Sequence, residues 1–180
     1  MIIYTGRFQP FHKGHLGLVH TLIEMYPQEI ICLAVIKNVP IQHADGFDSF
    51  ANKQLASQRN PFNCMVTLRL IEHVLCDEQL HNNVVVTLLP RPSMETWNVI
   101  SNMFDCDRTW VFTQNSIVTD EWENKKCAFF HKQGEKTMRI RIQKFIEGTD
   151  IRNAIAQKNY DLLKTMLPEP ILNYIQYGQL

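Results

Sequence analysis

The chain has 180 residues, 45% of them apolar, and its 18 Lys and Arg are balanced by 18 Asp and Glu. That composition supports one sizeable core in a single domain, 1–180. Zero formal charge argues against a broad nucleic-acid footprint, which needs excess cations, but leaves room for a local pocket for a small anion.

The five cysteines are odd in number and form no C-x-x-C pair. They are expected to be reduced thiols of a cytoplasmic protein rather than a disulfide framework or a zinc site. No basic leader with a long apolar stretch and no run of about eighteen apolar residues occurs, so a soluble chain without a membrane partner is expected.

Ile2 to Thr5 reads as a short apolar strand, followed by a turn at Gly6 and a Pro-broken loop. Leu16, Val19, Leu22, Ile23 and Tyr26 then repeat at helical spacing. Ile30 to Ile36 is a continuous apolar run suited to a strand buried on both faces of a parallel sheet. Lys37 to Gln58 is polar, lacks a period, and is long for an internal connection. Asn60-Pro61-Phe62 opens a helix with Pro at its first turn. Val84 to Leu89 is a third strand, Ser93 caps a helix reaching Phe104, and Arg108 to Thr113 is a fourth strand.

Past that strand, Gln114-Asn115-Ser116 reads as a polar turn, Thr119 to Lys126 as a short helix and Arg139 to Ile142 as a fifth strand. Thr149 caps a helix through Ile151 and Ile155. Two more helices follow, Tyr160 to Met166 and one from Pro168-Glu169-Pro170 to just before Gly178. Alternating strands and helices predict an α/β domain with a mostly parallel sheet, helices on both faces and C-terminal helices. Ligands of such sheets bind beyond the carboxyl ends of the strands.

The chemistry concentrates in the first loop. His12 and His15 bracket Gly14 where a helix begins, so two imidazoles stand one turn apart beside unpaired N–H groups and the positive dipole end. Gly14 lets a ligand approach the backbone, and Arg7 adds a donor fork matched to phosphate oxygens. Such a set stabilises charge in phosphoryl or nucleotidyl transfer. Near the other end, Thr149 and Arg152, three apart at a helix start, share one face.

The stretch G-R-F-Q-P-F-H-K-G-H resembles the H-x-G-H signature of the nucleotidylyltransferase superfamily, in the extended form of the archaeal-type nicotinamide mononucleotide (NMN) adenylyltransferases. Ile146 to Arg152 resembles the second superfamily signature, with Glu147 where a Ser is usual. The likeness implies a Rossmann-like nucleotidylyltransferase fold. It also implies transfer of AMP from ATP to a phosphorylated acceptor such as nicotinamide or nicotinic acid mononucleotide. Pyrophosphate would be released, and Mg²⁺ would arrive on the nucleotide phosphates.

By the same resemblance His12, His15 and Arg152 are catalytic. Gly6, Arg7, Phe8, Gln9, Lys13, Gly14, Asn115 and Thr149 hold the nucleotide. Arg59 and Asn60, in S-Q-R-N-P-F, contact acceptor phosphate, and Trp97 stacks on the acceptor ring, where Met94 replaces the family's amide-reading Asn. The usual T-A-x-E-R after N-P-F is absent; Cys64 to Thr67 read C-M-V-T. These departures keep two alternatives open: a cytidylyltransferase acting on a phospho-alcohol or phospho-sugar, and a non-catalytic nucleotide sensor. The family often assembles into homo-oligomers, but no interface stripe is legible here.

Overall fold

The computed structural model describes residues 1–37, 60–115, 121–142 and 146–178. Five strands, β1 (Ile2–Gly6), β2 (Ile31–Ile36), β3 (Val84–Leu89), β4 (Thr109–Asn115) and β5 (Lys136–Ile142), form one sheet in the order β3-β2-β1-β4-β5. Every neighbouring pair is parallel. Seven helices accompany them among the described residues. They are α1 (Lys13–Met25), α2 (Cys64–Asp77), α3 (Trp97–Asn102), α4 (Glu121–Lys132), α5 (Gly148–Ala156), α6 (Tyr160–Met166) and α7 (Glu169–Tyr177). This is the expected α/β Rossmann-like arrangement, and no helix among the described residues is long and apolar enough to cross a membrane.

The period of two along each strand sends alternate side chains to two cores. Ile2, Tyr4, Leu33, Val84, Val111 and Ile140 face α1, α2 and the C-terminal helices. Ile3, Cys32, Ala34, Trp110 and Phe112 face α3 and α4, where Ile100 and Phe130 close an aromatic second core. Burial pushes the Cys32 thiol up to about 12, with the Cys106 thiol adding to it, so Cys32 is a small apolar filler. Trp110, read from sequence as a packing residue, is fully buried.

The chain runs outward from β1 through β2 to β3, then returns to place β4 on the other flank of β1. The carboxyl ends of β1 and β4 therefore flank the topological switch point, where open α/β sheets leave a crevice. The loop after Gly6 opens directly there.

Several boundaries differ from the sequence expectation. α2 starts at Cys64, because the Asn63 side chain accepts from the Val66 N–H and caps the helix beyond Pro61. α3 starts only at Trp97, since Ser93 and Thr96 spend their hydroxyls on each other and on the Arg91 carbonyl. Gln114 and Asn115 continue β4, paired with Arg141 and Ile142, instead of forming a turn. β5 starts at Lys136 and α4 runs to Lys132. Glu147, not Thr149, occupies the cap of α5. Gly178, with φ of 69°, ends α7 in the left-handed conformation.

Candidate active site

The polypeptide leaving β1 turns at Gly6, whose Cα hydrogen faces the Phe8 ring; a Cβ there would stand 2.8 Å from Phe8 Cε1. Phe8 itself takes φ of 50° and buries its side chain. Phe8 and Phe11 form the apolar bed of His15, with ring centroids at 5.2 and 5.5 Å. The Phe8 ring belongs to the core, so its nucleotide role would have to be carried by its backbone.

His12 caps α1 in extended conformation, and its backbone N–H donates to His15 Nδ1 at 3.2 Å. An Nδ1 that accepts leaves the proton of a neutral imidazole on Nε2, so His15 presents a donor at that atom. The two rings stack with centroids 3.6 Å apart and planes 25° apart. Gly14 makes that stack possible: a Cβ there would meet His12 Cε1 and Nδ1 at 3.0 Å. The glycine spacing in the signature thus serves the His12 ring itself.

Arg152 joins this loop from α5. Its Nη2 donates to Thr149 Oγ1 at 3.0 Å, and its Nη1 donates to the Gln9 carbonyl at 3.2 Å. Gly148 clears the guanidinium, since a Cβ there would lie 3.0 Å from Arg152 Nη1. The two signatures, far apart in sequence, are therefore brought to one place. The first also reaches the N-P-F segment: Arg7 Nη1 donates to Asn60 Oδ1 at 3.4 Å, and Gln9 holds Phe62 and Thr67.

Not every expected contact residue points the same way. The Gln9 amide is engaged at both ends, donating through Nε2 to the Phe62 carbonyl and Thr67 Oγ1 and accepting at Oε1 from the Phe62 N–H. Its side chain is a structural tie, not an open nucleotide contact. Lys13 Nζ donates to the Lys164 carbonyl at 2.9 Å. That carbonyl lies in the last turn of α6, and the residue four further on is Pro168, which has no N–H to give. Lys13 thus supplies the missing donor for a helix end.

On the acceptor side, Trp97 packs edge-on against Phe129 and Phe130, at 5.7 and 5.2 Å, as part of the second core. The Met94 sulfur accepts from Gln133 Nε2 at 3.3 Å, in the turn joining α4 to the start of β5. That turn is at the amino edge of the sheet, opposite the edge that carries the His12 loop. No described contact joins Met94 or Trp97 to that loop. Arg59 lies outside the described residues, as does nearly all of the Lys37 to Gln58 loop; Asn115 ends β4 at the carboxyl edge.

Two positions escaped sequence reasoning: Gly148, visible as a small residue inside the second signature, and Thr67, visible only as a departure from a pattern. Among the described residues no three His, Cys, Asp or Glu side chains gather as metal ligands would.

Residues 3–154 match the family described as cytidylyltransferase-like. No curated protein matches the sequence. Among solved structures, the chain is similar to Thermotoga maritima TmcAL bound with alpha-thio ATP, with a TM-score of 0.59 and 14% identity over 97% of this chain and 55% of that one. It is also similar to NadR protein in complex with NAD and AMP-PNP, with a TM-score of 0.50 and 18% identity over 89% of this chain and 43% of that one. The chain thus spans about half the length of each, and at these identities the likeness is one of fold.

Proposed function

This chain belongs to the cytidylyltransferase-like family, and we propose that it is an adenylyltransferase that moves AMP from ATP to a phosphorylated acceptor, a nicotinamide or nicotinic acid mononucleotide, as in NAD biosynthesis. One observation carries the reading: the stacked His12–His15 pair at the N-terminus of α1 and the Arg152 guanidinium share a single loop, joined through the Gln9 carbonyl. Imidazole and guanidinium donors around a helix N-terminus suit a polyphosphate. The similar structures were solved with alpha-thio ATP, AMP-PNP and NAD, ligands of the same chemistry.

The proposed reaction is an in-line attack of the acceptor phosphate oxygen on the α-phosphorus, breaking the bond to pyrophosphate. The acceptor phosphate is already an anion at neutral pH, so no general base is required. Catalysis is positioning and charge stabilisation. His12 and His15 donate to triphosphate oxygens, Arg152 offsets charge on the departing pyrophosphate, and Arg7, beside Asn60, acts with Arg59 to draw the nucleotide and acceptor phosphates together. The nitrogen-rich donor set fits the phosphates and not a bare divalent cation, so Mg²⁺ belongs to the nucleotide it accompanies.

Pyrophosphate release from ATP and CTP, each paired with nicotinamide mononucleotide, nicotinic acid mononucleotide and a set of phospho-alcohols and phospho-sugars, tests the proposal. Turnover with ATP and a mononucleotide supports it. Turnover only with CTP moves the reading to a cytidylyltransferase. Tight nucleotide binding without any turnover leaves the sensor.

A further inference from the structure

Gln9, in the first loop, reaches both flanking segments. Its backbone carbonyl receives Arg152 Nη1 at 3.2 Å. Its side chain, almost fully buried, grips the start of α2 through three hydrogen bonds: to the Phe62 carbonyl at 2.9 Å, to Thr67 Oγ1 at 2.8 Å, and from the Phe62 N–H at 3.1 Å. Thr67 is itself buried and fixed, because its hydroxyl donates to the Asn63 carbonyl at 3.1 Å. Two residues before Gln9, Arg7 touches Asn60 on the same segment.

We propose that Gln9 is a positioning residue, and that with Thr67 it sets the Arg152 guanidinium for the triphosphate. The inference rests on the assignment of Arg152 to the β- or γ-phosphate made above. The chain of contacts runs from the α2 cap through Thr67 and the Gln9 amide to the Gln9 carbonyl, and from there to the guanidinium. A buried amide with its donors committed has few alternative orientations, because turning it would leave polar atoms unpaired. The Gln9 carbonyl is held with it, and Arg152 takes its direction from that carbonyl and from Thr149. Gly148 completes the arrangement by leaving space beside both Arg152 and the Gln9 carbonyl oxygen, which a Cβ there would meet at 3.0 and 3.7 Å.

The same linkage gives Thr67 a function that its departure from the family pattern did not suggest. The Thr67 hydroxyl accepts from Gln9 Nε2 and donates to the Asn63 carbonyl. The segment that carries Asn60 and the arginine assigned to the leaving group thereby become parts of one hydrogen-bonded unit.

Calorimetric titration of the full chain with AMP-PNP and with AMP, both with Mg²⁺, separates this role from a merely structural one. Thr67→Val keeps the shape of the side chain and removes its hydroxyl. It is expected to weaken AMP-PNP by about threefold to tenfold while leaving AMP within about twofold, the span of one lost hydrogen bond. Thr67→Ser should restore AMP-PNP affinity, and adding Thr67→Val to Arg152→Ala should cost nothing further, as for residues acting through one contact. Gln9→Met breaks the same link from its other end and serves if Thr67→Val does not fold. Equal losses for AMP and AMP-PNP in Thr67→Val, or full additivity with Arg152→Ala, overturn the proposal. If Arg152→Ala alone weakens both nucleotides equally, the phosphate assignment fails and the link falls with it. If Arg152→Ala is selective and neither Thr67→Val nor Gln9→Met is, only the link falls.

Discussion

Gly14→Ala tests whether the position of the His12 ring matters for catalysis. The added methyl would stand 3.0 Å from both Cε1 and Nδ1 of that ring. That is tighter than an ordinary van der Waals contact, so the ring must give by a few tenths of an ångström. It cannot do so without disturbing its stack on His15, whose centroid is 3.6 Å away. Misplacement on the order of 1 Å can cost about a hundredfold in rate, so a shift of this size is expected to lower kcat/KM about threefold to tenfold, or about 0.6–1.4 kcal/mol. Stability should move the other way or not at all. Gly14 has ordinary helical placement in the first turn of α1, and Ala in a helix gains up to about 1 kcal/mol over Gly. Gly17, three residues on in the same helix, is the matched control, since a methyl added there would meet nothing within 4 Å. Gly17→Ala should raise the melting temperature by about 2–4 °C with unchanged rate. Pyrophosphate release and thermal melting of both variants decide the matter. A folded Gly14→Ala protein with wild-type kcat/KM would show that the His12 ring position is irrelevant to the chemistry.

Three further outcomes are expected. His12→Ala and His15→Ala should each reduce turnover on the order of a hundredfold with melting little changed, the usual size for one preorganised donor, and near wild-type turnover in either would refute the site. Lys13→Met should lower the melting temperature by no more than about 2–4 °C through the uncapped Lys164 carbonyl, with a smaller loss of AMP-PNP affinity than Arg152→Ala; an equal or larger loss would return Lys13 to the phosphate. Burial pushes the Glu135 carboxyl up, but hydrogen bonds from Arg108 and Trp110, with the Arg108 charge, outweigh it and hold it below the usual range. A depressed folded pKa stabilises the protein above the unfolded value of about 4.3, and that stabilisation is lost as pH falls through the folded pKa. Glu135→Gln should therefore lower the melting temperature at neutral pH and flatten its fall below about pH 4.3; an unchanged acid profile would exclude the carboxylate as its source.

The parallel sheet was legible because its inner strands are continuous apolar runs and the helices between them keep a clean period. What the period could not reveal was where packing overrules local sequence. α4 extends to Lys132 because Phe129 and Phe130 find Trp97 and Trp110 across the second core, a gain invisible in its polar first half. β5 begins early, at Lys136, since an edge strand can carry charges outward while Met138 and Ile140 pack inward. At the site, the motif order was enough to bring His12, His15, Thr149 and Arg152 together. The fate of individual side chains was not readable, because each depends on a partner remote in sequence: Gln9 on Phe62 and Thr67, Lys13 on Lys164.

The two faces of the sheet divide the labour, and the division bears on the acceptor. Contacts among the described residues tie the His12 loop to Tyr4 of β1, to Asn60 and Phe62 just before α2, and to α2, α5 and α6, all on the first face. The second face is spent on an aromatic core stapled at its amino edge by Arg108, which grips Glu135 and the carbonyls of Ser101 and Phe104. Trp97 is part of that core, and Met94 leans toward the same edge. A ring that stacked on Trp97 would have to compete with Phe129 and Phe130 for its faces and edges. The acceptor phosphate has nearer partners in Arg7 and Asn60, which stand beside the reacting loop. Under the proposed reaction, selection among acceptors is therefore expected to fall to groups at the carboxyl edge around Asn60, and Met94→Asn is expected to leave the relative pyrophosphate release with nicotinamide and nicotinic acid mononucleotide unchanged.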